Sequence, residues 1–179
     1  WVSLLEMLLV VCPLVFFASF VDAIAGGGGL ISLPAYLLTG MPAHMAIGSN
    51  KLSAAVGTAI ATGRFLKEGS LHLQIALRTA VFAFVGSCIG AQLALHISDY
   101  YLRVVMMVLL PCVAVFVLFN RQRLDKESRF EQFSRSRIFL GMLATGLLIG
   151  MYDGFFGPGT GTFLILAFTT VLGFDLKRA

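Results

Sequence analysis

Charge is what this sequence has least of. Asp, Glu, Lys and Arg make up 12% of its 179 residues and hydrophobic residues 58%, where a soluble domain carries about 25% charged residues. With apolar runs too long for the buried helices of a soluble core, the deficit predicts a polytopic membrane protein. Cysteine is scarce as well. Cys12, Cys88 and Cys112 are odd in number, lie in apolar segments and have no ligand spacing, so they read as packing residues, not a disulfide framework. His44, His72 and His96 form no metal-binding pattern, and no metal or cofactor is expected. No glycine run meets the dinucleotide or phosphate-loop pattern, and no Gly-x-Ser-x-Gly is present, which argues against enzymes built on those motifs. Tyr152-Asp153 and Asp22 invite comparison with intramembrane aspartyl proteases, but here the glycines follow the aspartates. A starting Met and a basic leader are also missing, so no cleavable signal peptide is visible and the chain reads as a fragment.

What is present is concentrated in two places. Asp22-Ala-Ile-Ala-Gly-Gly-Gly-Gly-Leu-Ile-Ser-Leu-Pro34 puts a carboxylate and four glycines inside an apolar run. Each glycine costs a helix about 1 kcal/mol relative to alanine. A helix broken there frees backbone groups that lipid cannot satisfy, so such a break survives only in protein or beside a polar cavity. Tyr152-Asp153-Gly-Phe-Phe-Gly-Pro-Gly-Thr-Gly161 makes the same prediction 131 residues later.

In chain order, apolar segments are expected over residues 4–21, 35–39, 44–65, 71–97, 102–119, 138–152 and 162–172. The third should be interrupted at Gly48-Ser-Asn-Lys51. Gly86 and Gly90 form a G-x-x-x-G spacing that permits close helix approach. Pro111 should kink its helix. Residues 120–137 hold six Lys/Arg against three acids without aromatic platforms, which suits a cytoplasmic loop and not nucleic-acid binding. That orientation places Arg64 and Lys67 inside and the 98–102 turn outside. The first segment's direction stays open: with the short piece after it, it makes either two crossings or one discontinuous crossing.

The two breaks belong to an internal repeat. Asp22–Gly28 aligns with Asp153–Gly159 and, allowing two extra residues, Thr39-Gly40 aligns with Leu172-Gly173. The expected organisation is a first transmembrane repeat over 1–119, the basic loop over 120–137, and the start of a truncated second repeat over 138–179. The fold class is all-α, with discontinuous helices. Paired Gly/Pro-interrupted segments in two halves point to a secondary transporter's binding site.

Three ionisable residues sit well within apolar surroundings: Asp22, Lys51 and Asp153. A charge at the bilayer centre costs roughly 2.5–3.5 kcal/mol, so each is a functional candidate. For the aspartates the plain alternative is capping of the following helix. For Lys51 it is snorkelling or pairing with Asp22. Asn50 beside it offers amide donors and an acceptor. Gly26, Gly27, Gly28 and Gly29, and Gly157, Gly159 and Gly161, offer bare N–H groups at the start of short helices, an anion-binding arrangement. Ser32, Thr160 and Thr162 can add hydroxyls. The plain alternative for the glycines is close packing.

Together, Asp22–Pro34, Gly48-Ser-Asn-Lys-Leu-Ser53 and Tyr152–Gly159 resemble the sulfite exporter TauE/SafE family, also called toluene-sulfonate uptake permeases, and its YfcA-like members. The resemblance covers the whole chain. It implies a multi-pass transporter of the bacterial inner membrane, with two homologous halves and anionic sulfur compounds such as sulfite or organosulfonates as substrates. The family's glycine-rich motif falls on Gly26–Gly29 and on Gly157, Gly159 and Gly161, and its Asn-Lys motif on Asn50-Lys51. The partners expected are therefore a small anion and the lipid bilayer, with the oligomeric state open. A passive anion channel and a non-transporting scaffold are the alternatives.

Overall fold

A computed structural model describes residues 4–25, 27–68, 73–120 and 134–174. They form helices without a strand among them: α1 (Leu4–Ala25), α2 (Gly29–Leu38), α3 (Ala43–Lys67), α4 (Leu73–His96), α5 (Asp99–Asn120), α6 (Arg135–Phe155) and α7 (Thr160–Thr170). Leu73–His96, Asp99–Val117 and Ser136–Phe155 are each long and apolar enough to cross a membrane. Large apolar side chains such as Phe16, Phe84 and Leu148 are exposed, as lipid-facing residues of an all-α polytopic membrane protein should be. The basic loop falls mostly on residues 121–133, outside the described ones; Ser134 at its end caps α6, its hydroxyl accepting from the Arg137 N–H at 3.4 Å.

Both predicted breaks are present, and both are sharper than expected. Among the described residues the first covers Gly27 and Gly28, because helix resumes at Gly29 and carries Pro34 inside it. The second covers residues 156–159. The interruption predicted at Gly48–Lys51 does not exist, since α3 runs unbroken for 25 residues. One glycine in open space costs that helix about 1 kcal/mol, too little to part it.

At each break the chain doubles back. Gly28 lies against the Ala18 carbonyl, ten residues earlier on α1. At the far end of α7, Leu172 and Phe168 pack against Met142, near the start of α6. α2 and α7 have 10 and 11 residues, about 15 and 16 Å of helix and half of an approximately 30 Å hydrocarbon layer. Each pair is thus a long helix with a half-length partner folded along it, and α6–α7 is not one discontinuous crossing. The repeat shows again past each short helix, where Gly40 and Gly173 occupy aligned positions and both adopt positive φ, +80° and +71°.

The tightest seam joins α4 to α6. Gly86 and Gly90 meet the backbone of Leu147, Met151 and Phe155, while Gly146, Gly150 and Gly154 meet Thr79, Ala83 and Ser87. Both sets rise together in number, so the helices run parallel. The expected role of G-x-x-x-G holds, and α6 answers it with glycines of its own at every fourth residue. A separate apolar cluster of Leu33, Ala46, Leu102, Met106 and Phe156 gathers α2, α3, α5 and the second break.

Candidate functional site between the two helix breaks

The two breaks touch. A Cβ placed on Gly29 would lie 3.1 Å from Pro158 Cα and 3.4 Å from Asn50 Nδ2. Depth can be read from helix rise. Phe155 packs beside Gly90, six residues before the end of α4, and Asn50 lies seven residues into α3. At 1.5 Å per residue both place the meeting point about 9–11 Å from the end of the bundle that carries the α4–α5 turn.

Asp22 closes the first break. Its Oδ1 accepts from the Gly28 N–H at 2.8 Å. The carboxylate satisfies the amide of the residue that precedes α2, six residues on, and not a first-turn amide of α2 itself as a side-chain cap would. Its cost to an anion site is one donor, because the Gly28 amide is already taken. The Ser32 hydroxyl lies 3.1 Å from the Gly28 carbonyl and 2.5 Å from Asn50 Oδ1. Asn50 is thereby fixed with its amide nitrogen toward Gly29.

The second break is held differently. Tyr152 donates its hydroxyl to the Pro158 carbonyl at 2.7 Å, and Thr160 donates to the Gly157 carbonyl at 2.6 Å. Gly157 and Gly159 take positive φ, +94° and +78°, conformations that glycine adopts without steric penalty. Gly159 abuts Val113 of α5.

Lys51 is the charge at the second break, while Asn50 beside it reaches the first. Its Nζ lies 2.6 Å from Asp153 Oδ2 and also donates to the Asp153 backbone carbonyl. A Cβ on Gly157 would stand 2.8 Å from the same nitrogen. The alternative of pairing with Asp22 is therefore overturned; Lys51 pairs with Asp153. Asp153 in turn is occupied by the ammonium rather than acting as a simple cap.

Gly27, Gly28, Gly29, Asn50, Lys51, Gly157 and Gly159 thus gather around one junction, with Gly161 in the first turn of α7 and Thr162 buried beside it. Gly26 lies outside the described residues. The amides of Gly29 and Gly161, in first turns, have no acceptor within their own helices. What the sequence did not reveal is the Lys51–Asp153 pair, whose members are 102 residues apart. Nor did it reveal Asp99, which accepts from the Ala43 N–H at 2.5 Å, pairs with His44 at 3.4 Å and so caps α3 from the start of α5. Among the described residues no cluster of His, Cys, Asp and Glu could hold a metal ion.

Comparison with known proteins agrees with this architecture. The chain is 39% identical over 175 residues to a probable membrane transporter protein of Haemophilus influenzae, covering 98% of this chain and 67% of that relative. It is 37% identical over 165 residues to the probable membrane transporter protein YfcA of Escherichia coli K12, covering 90% and 59%. A Bacillus subtilis relative, the probable membrane transporter protein YdhB, is 25% identical over 155 residues. The chain spans about three fifths to two thirds of the length of these relatives. No solved structure matches it. The family described as Sulfite exporter TauE/SafE matches residues 11–179, nearly the whole chain with both breaks and the lysine between them, and this protein belongs to that family.

Proposed function

We propose that the chain forms most of a secondary transporter that moves a small anion, sulfite or an organosulfonate, across the bacterial inner membrane. The observation that carries the reading is the meeting of two broken helices beside the Asn50-Lys51 pair of α3. Unsatisfied first-turn amides, an Asn amide and an ammonium at one junction are complementary to an oxyanion. Gly29, Gly161, Asn50 and Lys51 supply the donors. Asp22 and Asp153 hold the two breaks in place. Lys and Arg concentrated at 120–137 put that loop in the cytoplasm, so the junction lies nearer the outer face. The relatives' names as probable membrane transporters support the class, and the family's description supports the substrate.

The test is uptake of sulfite, methanesulfonate and thiosulfate into vesicles holding the protein at the full length its gene encodes. At least one should show saturable flux, and Lys51→Ala should lower it by about tenfold or more, since a charge-assisted contact contributes about 1.5–3 kcal/mol. Undiminished flux in that variant removes Lys51 from the site. Conductance that never saturates makes the protein a channel, and no movement of any anion leaves a scaffold.

A further inference from the structure

We propose that Asp153 carries the proton that accompanies the anion: ionised, it holds Lys51 in the empty site; protonated, it releases Lys51 to the substrate. This rests on the anion-transporter reading above and adds the coupling ion to it.

The Lys51 ammonium is engaged by the Asp153 carboxylate at 2.6 Å, by the Asp153 carbonyl and by the wall at Gly157. The carboxylate stands where an oxyanion would bind. An anion arriving beside an ionised Asp153 would put two negative charges on one cation in a poorly solvated place. Such like-charge pairs are resolved by protonation of one member.

Among the described residues that face Asp153, none offers another remedy. From α3, Lys51 faces Asp153. On α6, the neighbouring Tyr152 has its hydroxyl committed to Pro158. From α4 the facing residues include Ala83, Phe84 and Ser87, and from α7 Thr160 and Leu164, none of them charged. Asp22 is bound to the Gly28 amide in the other break. The pair therefore has to supply its own neutralisation, and a proton on Asp153 does so. The site carries no net charge when empty (Lys51 cation, Asp153 anion) and none when loaded (Lys51 cation, substrate anion, neutral Asp153).

A cavity of about 360 Å³ between α4, α6 and α7 is lined by Asp153 together with Ser87 and Thr160, and Lys51 does not line it. The Asp153 side chain is 36% accessible. In the proposed cycle the proton reaches Asp153 from this cavity. For a monoanion, one proton and one anion cross together and no net charge moves.

Methanesulfonate is the probe, because it stays ionised where sulfite itself takes up protons near neutrality. In proteoliposomes with the full-length protein, an inward proton gradient should drive its accumulation, with one proton per anion and no current. In Asp153→Asn, the gradient should no longer drive accumulation of methanesulfonate, and any net flux should carry current. Binding measured by calorimetry in detergent should weaken as the pH rises in the wild type. In the variant it should be independent of pH and, at alkaline pH, tighter by about tenfold. Asp153→Glu should restore gradient-driven uptake. Gradient-driven, current-free flux in Asp153→Asn, or binding whose pH dependence survives that change, overturns the proposal. Wild-type flux that ignores the proton gradient overturns it too while leaving the anion-transporter reading intact. A wild type that neither binds nor moves methanesulfonate, sulfite or thiosulfate rejects the transporter reading itself, and the proposal with it.

Discussion

Asp22 and Asp153 occupy the same position in the two repeats and do different work. Asp22 satisfies a backbone N–H of its own break, whereas Asp153 neutralises a lysine from α3. The difference lies in the backbone just downstream of each residue. The first break offers the Gly28 amide to a carboxylate, while the second ties the Phe156 and Gly157 amides to the Tyr152 carbonyl at 2.9 and 3.3 Å. Replacing Asp22 by Ala should lower stability by about 0.5–2 kcal/mol, on the scale of a lost helix cap. Asp22→Asn should fall between the two, since its amide oxygen can still accept. Thermal unfolding in detergent checks this, and an unchanged Ala variant would remove this bond from the account. That Asp22 serves its own break was legible in the sequence because the contact is local. The Lys51–Asp153 pair was not, because nothing in linear spacing relates residues that only tertiary folding brings together.

At the level of helices, the sequence was most informative where glycines cluster. Runs of glycine with aspartate ahead of them marked both breaks, since several such residues together outweigh the helix they interrupt. Gly48 alone does not, and the predicted interruption of α3 was wrong for that reason. The doubling back of α2 and α7 was not readable, because a half-length apolar helix looks the same whether it continues a crossing or reverses. The α4–α6 seam was half legible: Gly86 and Gly90 stood out, but Gly146, Gly150 and Gly154 gain meaning only once their partner is known. A Cβ on Gly150 would lie 2.5 Å from the Ala83 carbonyl oxygen and 2.7 Å from its Cα, backbone that cannot step aside. Gly150→Ala should therefore cost about 1–3 kcal/mol by overpacking, read as a lower unfolding midpoint in detergent. Gly57→Ala, in open space on α3, is the control and should be neutral or slightly stabilising. Equal behaviour of the two would mean the seam is looser than described.

For the molecule as a whole, the meeting of the breaks is the feature most open to direct measurement. The Cβ position of Gly29 lies 3.5 Å from Pro158 Cβ, within the range of about 3.5–4.5 Å seen across disulfides. In a background where Cys12, Cys88 and Cys112 are replaced, Gly29→Cys with Pro158→Cys should cross-link under mild oxidation. A protease site placed between residues 121 and 133 would reveal the bond, since the cut halves stay together on a gel until reduced. Halves that separate without reductant would put the two breaks apart. The glycine seam sets a further constraint on motion. α4 comes from the first repeat and α6 from the second, yet their backbones are in contact along several turns. A carrier that swung one repeat against the other would have to unzip that contact in every cycle. If the protein is the carrier proposed above, its hinge is expected to run elsewhere, with α4 travelling with α6, so that the boundary between the two repeats and that between the moving parts would not coincide.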